Sequence, residues 1–117
     1  MKDTNVIQDK SYNFALEIIR IVRKTQNSQN EYILTKQLLR SGTSIGANVE
    51  EAIGAQSRKD FLHKISIAYK EARETDYWLR LLKDSNLLDS TIAEKLQKDC
   101  LEILKILGTI QKTTKNS

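Results

Sequence analysis

Apolar residues recur along this chain in steps of three and four, the spacing of one face of an α-helix, in four stretches separated by short polar runs. The first stretch covers about residues 11–25. Phe14, Ile18, Ile21 and Val22 share a stripe that Ala15 and Ile19 widen. Arg20, Arg23 and Lys24 fall in its last turns, where cations suit the negative end of the helix dipole. The run Thr25-Gln26-Asn27-Ser28-Gln29-Asn30 then reads as a short polar loop, with Asn30 as a candidate N-cap.

The second stretch, about residues 31–55, carries two apolar rows. Leu34, Leu38, Ser41, Ile45, Asn48, Ala52 and Ala55 form a heptad seam, and Leu39, Gly42, Gly46, Val49 and Ile53 run beside it. Two rows predict a helix covered on more than one side, and since a lone bundle needs only one buried stripe per helix, the extra row is expected to require a second protomer. Gly42 and Gly46 each cost roughly 1 kcal/mol in a helix relative to alanine. Close approach of another backbone at these two positions is the expected compensation.

The third stretch, about 58–84, opens on Ser57 and Asp60 in the arrangement of a capping box, with Asp in place of the usual Glu. Phe61, Ile65, Ala68, Ala72, Thr75, Leu79 and Leu82 form its seam, flanked by Leu62, Tyr69 and Trp78, and Asp84-Ser85-Asn86 is a plausible stop. The fourth, about 90–112, has Asp89, Ser90 or Thr91 as cap and buries Ile92, Leu96, Cys100, Ile103, Leu107 and Ile110, helped by Ala93 and Leu104. The polar tail from Lys112 is expected to fray. Short links between long helices force neighbours to run antiparallel. The pattern therefore predicts an all-α, up-and-down four-helix bundle, with residues 1–117 as one domain.

Composition agrees. The 117 residues contain no proline and four glycines, so nothing obliges a long helix to break. No apolar run approaches the ~18–20 residues of a membrane span. The N-terminal run Met1-Lys2-Asp3-Thr4-Asn5 lacks the apolar core of a secretory signal. A single cysteine cannot form an internal disulfide, which fits a reducing compartment. These features together predict a cytoplasmic protein. The net charge is +4, and the basic excess is one in residues 1–57 and three in residues 58–117.

Candidate chemistry is sparse. His63 is the only histidine and has no second ligand at metal-binding spacing. Cys100 sits on an apolar stripe and reads as an inert thiol. Glu50 and Glu51 are adjacent, so they point about 100° apart on a helix rather than facing each other. The glycines form no phosphate-binding loop. The sequence therefore points away from an enzyme, and it implies no cofactor or metal. Ser41 and Asn48 stand on the seam where leucine would be usual. They serve either a polar network that fixes register or a contact to a ligand or partner. Arg40, just before them, fits an ion pair with Glu50, Glu51 or an acid of the third helix better than it fits a phosphate contact. Lys59, Arg73 and Arg80 share a heptad position, with Lys70 beside them, which makes a candidate nucleic-acid-binding line. Glu71, Glu74 and Asp76 lie among them and dilute its field. Seven aromatics are too few for a single-strand stacking platform.

The stretch from Leu38 to Ala52 (LLRSGTSIGANVEEA), with Ser57-Arg58-Lys59-Asp60-Phe61, Ile67-Ala68-Tyr69-Lys70-Glu71 and Glu74-Thr75 through Trp78-Leu79, resembles a bacterial four-helix-bundle family. That family is named for reading frames inside 23S rRNA intervening sequences, and its members often carry the S23 ribosomal protein label. The resemblance covers roughly residues 10–112. Arg40, Ser41, Ser44, Ile45, Asn48 and Glu51 match its central motif, while Ala52 follows Glu51 where the family commonly has glycine. It implies a ring-like homopentamer and a role in binding RNA or DNA. A similar bundle is the accessory protein of a retroelement reverse transcriptase. The expected function is thus a non-catalytic homo-oligomer that binds nucleic acid through phosphates. The competing expectation is a protein–protein adaptor with no nucleic-acid ligand.

Overall fold

The computed structural model describes the backbone of residues 2–117 and the side chains from Thr4 onward; Met1, where the polar N-terminal run begins, lies outside the described residues. Four helices make up the fold: α1 (Lys2–Gln29), α2 (Leu34–Ile53), α3 (Arg58–Asp84) and α4 (Ser90–Lys115). They run up, down, up and down in a rod 47 Å long and 18–20 Å across. Among the described residues, each helix packs on its two neighbours and none on the diagonal, and the α1–α4 side is the loosest. No described helix is long and apolar enough to cross a membrane.

α1 is longer at both ends than its apolar stripe suggests. Ile7 and Ser11 continue the seam of Phe14, Ile18, Val22 and Thr25, and all six are buried. Residues 25–29 are helical rather than a loop, with Thr25 turned inward and Gln26 donating to the Thr35 hydroxyl at 3.2 Å. Asn30 is not an N-cap. It takes a left-handed φ of 54° and returns its N–H to the Gln26 carbonyl, which ends α1. Glu31 caps α2 instead: its carboxylate accepts the backbone N–H groups of Ile33, Leu34 and Thr35 at 3.0–3.1 Å. Desolvation pushes that carboxyl's pKa up, but the backbone donors outweigh it and hold it below its ordinary value. Spending Glu31 on the cap starts α2 at Leu34 rather than at residue 31. Gly54 closes it before the extended Ser57.

Ser57 caps α3 by accepting the Asp60 N–H at 3.0 Å. Asn86, at φ 63°, ends it in a Schellman turn, with the Asn86 and Leu87 N–H groups on the Lys83 and Leu82 carbonyls. Asp89 caps α4 through the Ile92 N–H. The tail does not fray at Lys112, because Thr114 is buried and α4 runs to Lys115.

Both rows of α2 are largely met within the chain, although Ile53 at the end of the second stays 44% exposed. Its buried seam is Thr35, Leu38, Ser41, Gly42, Ile45, Val49 and Ala52, which takes residues from each row. A bundle helix has two neighbours, so its apolar stripe must be wider than one heptad row. Here α1 covers one flank and α3 the other, and no second protomer is needed for that purpose. A Cβ on Gly42 would lie 2.9 Å from Ile18 Cγ2, and one on Gly46 would lie 3.4 Å from the Ser11 carbonyl oxygen. The close-packing interface predicted at these glycines is the α1–α2 contact. Asn48 stands beside the seam rather than in it and is half-buried.

Candidate nucleic-acid interface

The candidate basic line lies on the outer side of α3. Lys59, Lys70, Arg73 and Arg80 are all exposed. On the rotation set by the buried seam they occupy the middle of the outer surface and its α4 side. Lys59, Lys70 and Arg73 form no ion pair with any described residue. Arg80 is held locally, with Nε 3.4 Å from Asp76 Oδ2 and its guanidinium 5.8 Å from the Tyr77 ring centre.

Two of the three acids that share this stretch of sequence, Glu71 and Glu74, leave this surface, and the third, Asp76, stays on its α4 flank paired with Arg80. Glu71 and Glu74 turn to the α2 side, where Arg40 Nη2 meets Glu74 Oε2 at 2.6 Å and Arg40 Nη1 lies 3.8 Å from Glu71 Oε1. Trp78 donates its indole N–H to the same Glu74 oxygen at 2.9 Å. Asp76 accepts from Gln97 of α4 at 3.4 Å as well as pairing with Arg80. The expected dilution of the basic field is therefore largely undone by folding.

α4 adds to the basic face. Four contacts fix its side against α3: Gln97 to Asp76, the Cys100 thiol to the Ala72 carbonyl at 3.2 Å, Gln111 to the Ser66 hydroxyl at 3.0 Å, and Lys83 to Glu94 at 3.8 Å. With this side fixed, Lys98, Lys105 and Lys112 crown the outer edge of α4 at seven-residue intervals, and Lys115 follows on the α3 side. All four are exposed and form no ion pair with a described residue. The carboxylates of α4 point elsewhere. Asp99 and Glu102 turn to the α1 side, paired with Lys95 and Lys10. A hydrogen bond from Lys10 holds the Glu102 carboxyl below its ordinary pKa, with a smaller contribution from Lys98. Glu94 is taken by Lys83.

Between the two basic rows runs a trough of about 570 Å³, lined by Tyr69, Leu101, Leu104, Lys105 and Gly108. The sequence singled out the α3 row but missed the α4 row, whose signal was the 98/105/112 lysine heptad.

The polar cluster of the second stretch is built into the α2–α3 contact. Ser41 and Thr75 are fully buried, and the Thr75 hydroxyl is 2.9 Å from Ser41 Oγ. Ser44 bonds the Arg40 carbonyl at 2.6 Å, and Asn48 donates to the Ser44 carbonyl at 2.8 Å. Glu51 pairs with Lys64 of α3 at 2.9 Å, while Glu50 accepts from Gln8 of α1 at 3.0 Å. The two adjacent carboxylates thus serve opposite neighbours. Arg40 makes its ion pairs with third-helix acids.

A model of the 23S rRNA-intervening sequence protein family matches residues 2–109. The chain belongs to that family. A crystal structure of a protein of unknown function from the S23 ribosomal protein family of Bacteroides thetaiotaomicron is 49% identical, with a TM-score of 0.92. The match covers 96% of this chain and 99% of that one. A search of curated proteins finds no match. In this member of the family Arg40, Ser41 and Glu51 of the central motif bond α3, Ser44 and Asn48 bond carbonyls of α2 itself, and Gly42, Gly46 and Glu50 meet α1.

The two residues best suited to catalysis are kept apart. Cys100 is completely buried, and desolvation pushes its thiol pKa up to about 12. His63 is exposed on the outside of α3, beside Ser57, Lys59 and Asp60. The Cys100 thiol meets α3 at Ala72, nine residues or roughly 13 Å further along the helix.

Proposed function

We propose that this chain is a non-catalytic, self-associating helical bundle that binds RNA or DNA through phosphate contacts on the α3–α4 face. The observation that carries this reading is the sorting of charge. Apart from the exposed Asp84 at the end of α3, the acids of α3 and α4 turn toward α2 and α1 or are paired, and seven cations on the shared outer face (Lys59, Lys70, Arg73, Lys98, Lys105, Lys112 and Lys115) have no carboxylate partner among the described residues. Unpaired cations on a rigid surface release bound counterions from a polyanion, which is the main source of non-specific affinity. Bringing copies of a +4 chain together concentrates that field.

Self-association draws support from apolar side chains left outside the bundle. Tyr12 is 63% exposed, beside a groove of about 230 Å³ that includes Ala15, Gly46 and Ala47, and Ile33 is 77% exposed at the α1–α2 connection. A homopentamer is the state that the family resemblance implies. Light scattering on a gel-filtration column, with and without a 20-nucleotide RNA, tests both parts. The expected result is a multiple of the 13.4 kDa chain mass that gains RNA mass at about 50 mM salt and releases it as salt rises. A monomer that carries no RNA at low salt would contradict the reading. The adaptor reading predicts instead that protein partners survive nuclease treatment while no nucleic acid is retained.

A further inference from the structure

We propose that the trough between α3 and α4 takes an unpaired nucleobase, so that the preferred ligand is a single-stranded or looped strand rather than a duplex. This rests on the phosphate-binding reading of the same face.

Three features of the trough support it. Its floor is apolar and ends in an aromatic ring. Tyr69 lies half-buried against Gly108, and a Cβ at Gly108 would lie 3.7 Å from Tyr69 Cε2. Any larger residue there would cover the ring edge that glycine leaves open. The trough has a volume of about 570 Å³ and is open to solvent along its outer side.

The second feature is the charge around it. Arg73 sits one turn beyond Tyr69 on the same flank of α3, Lys70 is its neighbour, and Lys105 lines the trough from α4. None of the three has a carboxylate partner among the described residues. An apolar slot with free cations on both sides, and one carboxylate (Asp76, bonded to Gln97 and Arg80) at its end, suits a ligand with a flat, weakly polar body and anionic groups on each side. A nucleobase on its phosphodiester backbone has that form. An apolar side chain from a second copy would leave the cations without a counter-charge.

Third, amides flank the slot at both ends. Gln111 donates to Ser66 at one end and Gln97 to Asp76 at the other, and each amide oxygen is left able to accept from a base edge. Seven aromatics cannot tile a strand, but one ring in a basic trough is enough to hold one base.

The test compares a single-stranded 12-mer, carrying 2-aminopurine at one position, with a duplex of the same length, each as RNA and as DNA. Both are titrated at fixed salt. Single strands are expected to bind more tightly and the 2-aminopurine emission to quench on binding. Comparing the RNA and DNA arms shows which backbone is preferred. Tyr69→Leu should lower the single-strand to duplex affinity ratio by roughly 5- to 100-fold, as expected for loss of one base stack, and Tyr69→Phe should restore it. Gly108→Leu fills the trough from the other side and should act like Tyr69→Leu, which guards against a folding defect peculiar to position 69.

Equal affinity for single strand and duplex, or an unchanged ratio in both Tyr69→Leu and Gly108→Leu, overturns the base-binding proposal while leaving phosphate binding intact. Absence of binding to either form by the unaltered protein overturns both. If Gly108→Leu changes the assembly mass and not the ratio, the trough holds a second copy of the chain and the proposal fails.

Discussion

The two flanks of α3 differ in how much of their charge is paired: the α4 flank holds the Asp76–Arg80 and Lys83–Glu94 pairs but leaves its other cations free. On the α2 side, Lys64 meets Glu51, Arg40 reaches Glu74, and Trp78 and the Ser41–Thr75 bridge fill the space between them. On the α4 side, Lys70 and Arg73 have no partner, and α4 brings Lys105 up beside them. Surface ion pairs contribute little to stability individually, a median near 0–1 kcal/mol, but a paired cation is no longer available to a phosphate. One flank therefore fixes helix register, and the other is open to a polyanion. The motif most visible in the sequence belongs to the first flank.

The comparison breaks most sharply under charge reversal. Lys70→Glu, Arg73→Glu and Lys105→Glu together should weaken RNA binding about 100-fold or more at 50 mM salt, while circular dichroism stays unchanged. Arg40→Gln should leave affinity within about twofold, because its guanidinium is already committed to Glu74. Fluorescence anisotropy with a labelled 20-mer reads both.

On the structural flank, Thr75→Val leaves the buried Ser41 hydroxyl without its interhelical partner. The expected loss is about 1–3 kcal/mol in urea unfolding, with most of it recovered in the Ser41→Ala/Thr75→Val double variant.

A smaller effect comes from Cys100. Its thiol titrates near 12 in the fold, against 9.0 for the ordinary group. The folded state therefore keeps its proton where the unfolded chain has lost it, so the contribution is intact below pH 9 and falls as pH rises from 9 toward 12. The stability gap between the protein and Cys100→Ala should shrink by on the order of 1 kcal/mol between pH 8 and pH 10. Thiol reagents should label Cys100 only on unfolding.

The smallest contrast lies between the α2 glycines. Gly46→Ala meets the Ser11 carbonyl at an ordinary contact distance and should raise stability by up to ~1 kcal/mol through helix propensity. Gly42→Ala forces the stiff, branched Ile18 to shift, which cancels that gain. Thermal melts of the two variants should differ in that order.

Much of this was legible in the sequence. The α3 seam from Ile65 to Leu82 is buried as its spacing requires, and Ser57 and Asp89 cap as their chemistry suggests. What was illegible depends on neighbours. Ile7 and Ser11 look like an isolated pair in a polar run until α2 packs over them. Asn30 suits either end of a helix, and only its left-handed φ decides which. Glu71, Glu74 and Asp76 appear to dilute the basic line, because sequence spacing gives their rotation about α3 but not which helix stands on each side. The second row of α2 suggested a second protomer for the same reason, until α1 was seen to cover it.

The central claim is that the free cations of the α3–α4 face, and not the paired ones of the α2–α3 face, neutralise phosphates. The slope of log affinity against log salt for a single-stranded 20-mer tests it directly. Replacing Lys70, Arg73 and Lys105 with glutamine should make the slope shallower by about 2, at roughly 0.7 per phosphate contact, while Arg40→Gln leaves it unchanged. An identical slope in the triple variant, or a shallower one in Arg40→Gln alone, would contradict the account.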